Sequence, residues 1–351
     1  MSKTDANNER SPKEARRSDV AATAAKILAN IEKVIIGKRP QITMALVAYF
    51  CEGHILIEDV PGVAKTMLAR ALAKSVGCTF KRLQCTPDLL PTDVTGVSVF
   101  NQKTTEFEFR PGPIFAQTVL TDEINRTTPR TQSALLEAMA EQRVTVDGQT
   151  YALRSPFLVI ATQNPIDHEG TFPLPEAQLD RFLMRLSLGH PEAVDEIQIV
   201  RNLRKRHPIE SIGPVASGDE LLALSDEVTD VHVDETIERY CLAIVRATRQ
   251  HPDVALGTST RGTLALYKTS QALAALRGRD YVLPEDVKTL VPLTLAHRII
   301  IRPESQLRGR NAAQILGEIL ERTELEVETT KDEGRKTKAP IGEPVSSSPG
   351  Q

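Results

Sequence analysis

One segment constrains the fold more than any other: Ile55-Leu56-Ile57-Glu58-Asp59-Val60-Pro61-Gly62-Val63-Ala64-Lys65-Thr66, running into Met67–Val76 and closed by Gly77. The apolar run reads as a buried strand and the Pro-Gly pair as a tight loop. The Lys-Thr pair opens a helix whose C′ residue is Gly77. This layout suits an anion: backbone N–H groups and the helix N-terminus face it, Lys65 adds a point charge, and the Thr66 hydroxyl can ligate Mg2+. Against the pattern G-x-x-x-x-G-K-[ST], Asp59 stands at the first glycine and Ala64 at the second. Gly62 keeps the loop flexible. Ala64 is small enough for close backbone approach provided its φ stays negative, whereas Asp59 is expected to bring a carboxylate near phosphate.

A second segment, Val119-Leu120-Thr121-Asp122-Glu123, is a buried strand ending in two adjacent acids. Alone it reads as an acid pair capping the next helix. Downstream of a Lys-Thr loop, Asp122 can hold Mg2+ through water and Glu123 can orient and deprotonate an attacking water. Phe157–Thr162 supplies a third strand, ending at Gln163-Asn164-Pro165, where Asn164 can hydrogen-bond a terminal phosphate or that water. The alternative is an Asn-Pro turn. Gln84, at the end of another expected strand, is positioned to couple Glu123 to occupancy of the site.

The first half of the chain alternates short strands with helices, which implies an α/β fold with a parallel sheet covered on both faces. After His190–Pro191 the pattern becomes helical, with helices expected over 193–206, 218–229, 234–249, 260–276, 284–297 and 311–322 and no strand between them. The expected organisation is a flexible tail over 1–24, an α/β core over 25–190, an all-α domain over 191–326 and a second flexible tail over 327–351. Gly96–Phe100 with Glu106–Phe109, and Arg143–Val146 with Gln149–Leu153 across Asp147-Gly148, read as two β-hairpins.

Composition narrows the function. A formal net charge of −3 gives no global basic field for nucleic acid or anionic lipid, and 4% aromatics with no Trp leave little material for base stacking. No apolar run approaches a membrane span and no secretory h-region is present, so a cytoplasmic protein is expected. The four cysteines and seven histidines show no zinc-binding spacing, and no G-x-S-x-G elbow occurs.

The ordered motifs resemble those of the MoxR-type AAA+ ATPases. They are Val34-Ile35-Ile36-Gly37, Glu58–Thr66, Thr86–Pro91, Asp122–Arg126, Gln132–Met139, Ala161–Pro165, Pro173–Phe182 and Ser259-Thr260-Arg261, and together they span about residues 25–322. The resemblance implies a P-loop sandwich with hairpin insertions in helix 2 and before sensor 1, followed by a helical lid. It implies ATP and Mg2+ as cofactors. Lys65 and Thr66 match Walker A, Asp122 and Glu123 Walker B, Asn164 sensor 1, Arg181 the arginine finger that serves a neighbouring subunit, and Arg261 sensor 2. Ile36, Gly37, Val60, Pro61, Gly62, Val63, Ala64 and Met67 complete the implied nucleotide contacts. For Arg181 the plain alternative is a salt bridge to Asp180 or Glu176; for Arg261 it is a first-turn surface arginine; for the hairpins it is ordinary surface structure.

The function this implies is a ring-forming ATPase, hexameric, that acts as a chaperone or remodelling factor in maturation or metal insertion of protein clients. A von Willebrand A-domain protein, supplied as a separate chain, is the implied partner, with no direct nucleic-acid contact and no membrane insertion. Two alternatives remain at this level: a DNA-associated motor, since replicative helicases share the double hairpin, and an ATP-responsive scaffold that barely hydrolyses, for which Asp59 leaves an opening.

Overall fold

The computed structural model describes residues 12–165, 170–204 and 207–325, so the expected C-terminal tail lies outside the described residues. The N-terminal boundary is corrected: helix α1 (Pro12–Ile31) occupies much of the segment expected to be a tail. Its second half buries Val20, Thr23, Ala24 and Ile27, and Asn30 Nδ2 donates to Ser75 Oγ at 3.0 Å and to the Gly213 carbonyl at 2.8 Å. The polar first turns hid an apolar stripe that begins only at Val20.

Helix α2 (Arg39–Phe50) leads into strand β1 (Ile55–Glu58), helix α3 (Lys65–Ser75) and strand β2 (Phe80–Gln84). Short helix α4 (Pro91–Thr95) runs directly into the hairpin β3 (Gly96–Asn101) and β4 (Glu106–Pro111). Then come β5 (Thr118–Asp122), α5 (Pro129–Glu141), the hairpin β6 (Arg143–Val146) and β7 (Gln149–Ala152), β8 (Leu158–Gln163), α6 (Glu176–Leu179) and β9 (Met184–Leu186). Strands β2, β5, β8, β1 and β9 form one parallel sheet in that order.

Alternation along the strands explains the layers. Ile55 and Ile57 of β1, Leu120 of β5, and Leu158 and Ile160 of β8 enter one apolar core with Leu68 and Leu72 of α3. The intervening Leu56, Val119, Val159 and Ala161 enter a second core with Leu135, Leu136 and Met139 of α5. Period-two burial on both faces is what a covered parallel sheet requires. Helix α3 ends as its sequence dictates: Gly77 has φ +63° at C′, and Cys78 N–H donates to the Ala73 carbonyl at 2.9 Å.

The C-terminal region carries α7 (Ala193–Leu203), α8 (Gly218–Thr229), α9 (Glu235–Gln250), strand β10 (Val254–Leu256), α10 (Thr260–Leu276), α11 (Pro284–Leu295), strand β11 (Ile300–Ile301), α12 (Pro303–Leu307) and α13 (Ala312–Arg322). The six expected helices are present. The expectation of no strand is corrected by the antiparallel β10–β11 ribbon, whose segments are too short to show a period. Ile244, Leu266, Leu290 and Ile315 join the same apolar core as β1 and α3, so the helical lid closes over one face of the sheet.

The hairpins are joined by aromatic side chains. Phe109 of β4 stacks on Tyr151 of β7 with ring centroids 4.1 Å apart, and Phe115 meets Phe109 edge-on at 5.5 Å. Asp147 and Gly148 both adopt positive φ, +49° and +79°, as the two-residue turn of the second hairpin demands.

His54, at the foot of β1, is buried and neutral. Its Nδ1 accepts from Val159 N–H at 3.1 Å, which leaves Nε2–H to donate to the Met139 carbonyl at 3.0 Å. Burial pushes its pKa down to about 4, against a smaller upward pull from that carbonyl. A second proton on Nδ1 would face a donor. Unfolding frees the ring to charge near pH 6.5, so stability present above that pH is lost as pH falls toward 4, by at most about 1.4 kcal/mol per pH unit. Urea titrations of His54→Gln, which can keep both hydrogen bonds, are expected to show a correspondingly shallower pH dependence than wild type; parallel curves would remove His54 as the source.

Candidate active site

The loop after β1 sits at the C-terminal edge of the sheet, where the strand order reverses and α/β sheets bind ligands. A cavity of about 330 Å³ opens there, lined by Pro61, Gly62 and Ala64 of the loop, Lys65, Thr66 and Met67 of α3, Asp122 and Glu123 from the end of β5, and Asn164 from the end of β8. Residues spread over a hundred positions of sequence thus meet because β1, β5 and β8 are adjacent and parallel.

Two expectations about the loop are corrected. Ala64 adopts φ +63°, in the left-handed region, not the negative φ expected, at a cost of roughly 1–2 kcal/mol. Asp59 does not face the cavity. Its buried carboxylate accepts from Ser187 Oγ at 3.1 Å, from Gly189 N–H at 3.2 Å and from Leu188 N–H. Its main-chain carbonyl instead accepts from Lys65 Nζ at 2.6 Å. Partial burial pulls the Lys65 pKa below its ordinary value, and the nearby Asp59, Asp122 and Glu123 carboxylates oppose that shift.

The acid pair is held by a network that sequence reasoning reached only in part. The Thr162 hydroxyl donates to Asp122 Oδ1 at 2.6 Å, and Thr162 Oγ1 accepts from Glu123 N–H at 2.9 Å. Thr162 therefore fixes both acids. Glu123 itself has φ +57°, a strained turn that the Thr162 bond supports. Arg82 of β2 donates to Asp122 Oδ2 through Nη2 at 2.6 Å and Nε at 3.2 Å. Glu123 Oε2 receives Gln84 Nε2 at 3.3 Å and Arg126 Nε at 3.0 Å. Arg82 carries no motif signal, and Thr162 lies inside the Ala161–Pro165 motif without any sign of this role; the parallel pairing of β2, β5 and β8 reveals both.

Other candidate residues lie elsewhere. Val63 is buried in the core, Val60 is partly buried against it, and Ile36 and Gly37 belong to the turn between α1 and α2. Gly37 has φ +72°, which favours glycine, and a Cβ there would also have to displace the Asp195 carboxylate. Arg181 does not line the cavity; its guanidinium donates to the Leu136 carbonyl of α5. Arg261, on the first turn of α10, lies 3.7 Å from Asp180, the residue beside Arg181, and Asp180 is also held by the buried Arg298 at 2.8 Å. Arg181 and Arg261 therefore share a locality outside the cavity of their own chain.

Residues 54–184 match the model of the ATPase family associated with various cellular activities (AAA), and residues 246–319 match the AAA lid domain. The chain is 52% identical over 314 residues to the uncharacterized protein YeaC of Bacillus subtilis, covering 90% of this chain and 98% of that one. It is 40% identical over 288 residues to the chaperone MoxR1 of Mycobacterium tuberculosis, covering 80% and 76% of the two chains. A crystal structure from Cytophaga hutchinsonii, provisionally described as an ATPase, superposes with a TM-score of 0.85 at 37% identity, covering 90% of this chain and 98% of that one.

Proposed function

The chain belongs to the MoxR family of AAA+ ATPases, and from that premise we propose that it hydrolyses Mg-ATP between the subunits of a homo-oligomeric ring, a hexamer, that remodels protein clients. The observation that carries this reading is the convergence of Lys65, Thr66, Asp122, Glu123 and Asn164 on one cavity. The cavity fits a nucleotide phosphate chain. Gly62 has φ +90° with open space where a Cβ would project, and Ala64, as the N-cap of α3, offers no side-chain acceptor to the first-turn N–H groups.

ATP supplies a γ-phosphoryl group whose transfer spreads charge over several oxygens. Lys65 and the loop N–H groups would hold the phosphates; Thr66 directly, and Asp122 through water, would hold Mg2+. Glu123 orients the attacking water and takes its proton, which requires its carboxylate to be shared with, or released by, Gln84 and Arg126. Asn164 hydrogen-bonds the water or the γ-phosphate. Arg181 and Arg261, absent from their own cavity, are available to a neighbour's. Helix α7 supports assembly: it buries no residue and leaves Val194, Ile197, Val200 and Leu203 exposed, an apolar ridge of the kind that contacts cover. A chaperone role in maturation or metal insertion, with a von Willebrand A-domain partner, rests on the family and on the printed name of the mycobacterial relative.

The test is steady-state phosphate release by the full chain with ATP, with Mg2+ and with EDTA, alongside its mass in solution. Magnesium-dependent release from a nucleotide-stabilised oligomer is expected. Nucleotide binding without release would favour the scaffold reading, and salt-dependent DNA retention on filters would favour the motor.

A further inference from the structure

Asp59 touches three parts of the molecule at once. Its carbonyl receives Lys65 Nζ at 2.6 Å, its N–H donates to the Gln163 carbonyl beside Asn164 at 3.2 Å, and its carboxylate gathers Ser187 Oγ and the N–H groups of Leu188 and Gly189. Those last three residues open the connector from β9 to α7, and Gly189 turns it with φ +62°. A buried carboxylate accepting several N–H and O–H bonds is a strong, directional tie, and removing it leaves the buried Leu188 N–H unsatisfied. The connector and the helix it opens also meet the turn between α1 and α2: Lys38 Nζ donates to the His190 carbonyl at 2.7 Å, and Asp195 of α7 lies against Gly37. Beside Asp59, Glu58 pairs with Arg185 of β9 at 2.9 Å.

We propose that Asp59 is a positioning residue that couples the phosphate loop to the core–lid connector, so that engagement of phosphate by Lys65 is transmitted to the lid through Ser187–Gly189. The coupling rests on nucleotide binding at Lys65. When Lys65 Nζ turns to a phosphate it gives up or shares the Asp59 carbonyl. The peptide plane that carries this carbonyl adjoins the residue whose carboxylate holds the connector. Asp59 thus occupies the first glycine position of the loop pattern without approaching phosphate: its side chain faces the connector instead.

Hydrogen–deuterium exchange with and without MgADP tests this on the full chain. In wild type, MgADP is expected to slow exchange both in the loop (residues 59–66) and in the connector (187–192). In Asp59→Ala the loop response is expected to persist while the nucleotide-dependent change in the connector is lost; kcat should fall with little change in KM. A purely structural tie would speed connector exchange equally with and without MgADP, leaving the nucleotide-dependent difference intact, and that result overturns the coupling. So does a wild-type connector that does not respond although the loop does. If neither segment responds in wild type, nucleotide binding at Lys65 is what fails. Should Asp59→Ala not fold, Asp59→Asn, which keeps one acceptor oxygen, and Ser187→Ala, which removes one donor, are each expected to reduce the connector response; an undiminished response in both overturns the proposal.

Discussion

Replacing Arg181 with alanine is expected to lower steady-state ATP hydrolysis by about 10³–10⁵, the range over which an arginine supplied in trans accelerates phosphoryl transfer. Nucleotide affinity should change little, because the Arg181 guanidinium bonds the Leu136 carbonyl and lines no part of its own cavity. The decisive version mixes two inactive variants. Lys65→Ala lacks the phosphate-holding ammonium but keeps Arg181; Arg181→Ala keeps an intact cavity. In a head-to-tail ring made from equal amounts of the two, about a quarter of the sites combine the intact cavity with the intact arginine. Hydrolysis by the mixture should therefore exceed that of either pure pool. A mixture no more active than the pure variants, under conditions where subunits exchange, would sink the shared-site model.

Glu123→Gln is expected to cost about 10²–10⁴ in turnover, the usual contribution of a positioned general base, with nucleotide binding retained. The amide is nearly isosteric. It can still accept from Gln84 and Arg126 through its oxygen, and the main-chain bond from Glu123 N–H to Thr162 is untouched. Loss of rate can then be ascribed to the missing base and not to collapse of the turn. Phosphate release equal to wild type would remove Glu123 from that role. The variant has a second use: held in its ATP state, it should retain protein partners long enough for capture and identification.

Much of this site is legible in the sequence because its chemistry sits at strand ends. Lys65, Thr66, Asp122, Glu123 and Asn164 each follow an apolar run, and a parallel sheet brings the C-terminal ends of such runs to one edge. The helical order of the lid is equally visible in its periodicity. What was hidden has physical reasons. Thr162 is the last residue but one of a strand, ordinary in composition, and becomes a site residue only through its pairing with β5. Arg82 lies on the exposed outer strand, where an arginine carries no signal. The orientation of Asp59 depends on Ser187, Leu188 and Gly189, just beyond β9 and 128 to 130 residues downstream. The left-handed backbone of Ala64 is a local choice that its side chain disfavours and the loop imposes. The start of α1 is hidden in the sequence because its apolar stripe begins late, at Val20.

Strand β8 has a consequence for how this protein can change. Three successive residues at its end serve three different elements: Thr162 the acid pair, the Gln163 carbonyl the Asp59 N–H, and Asn164 the cavity. Side chains alternate along a strand, so one residue gained or lost between Phe157 and Asn164 would turn Thr162 away from the acids and send core residues to the wrong face. The apolar side chains before Thr162 matter by their size and face, but the number of residues in the segment is fixed by all three attachments at once. The segment is a ruler as much as a scaffold, and insertions and deletions accumulating in the lineage should fall in the hairpin loops on either side of it and spare its length.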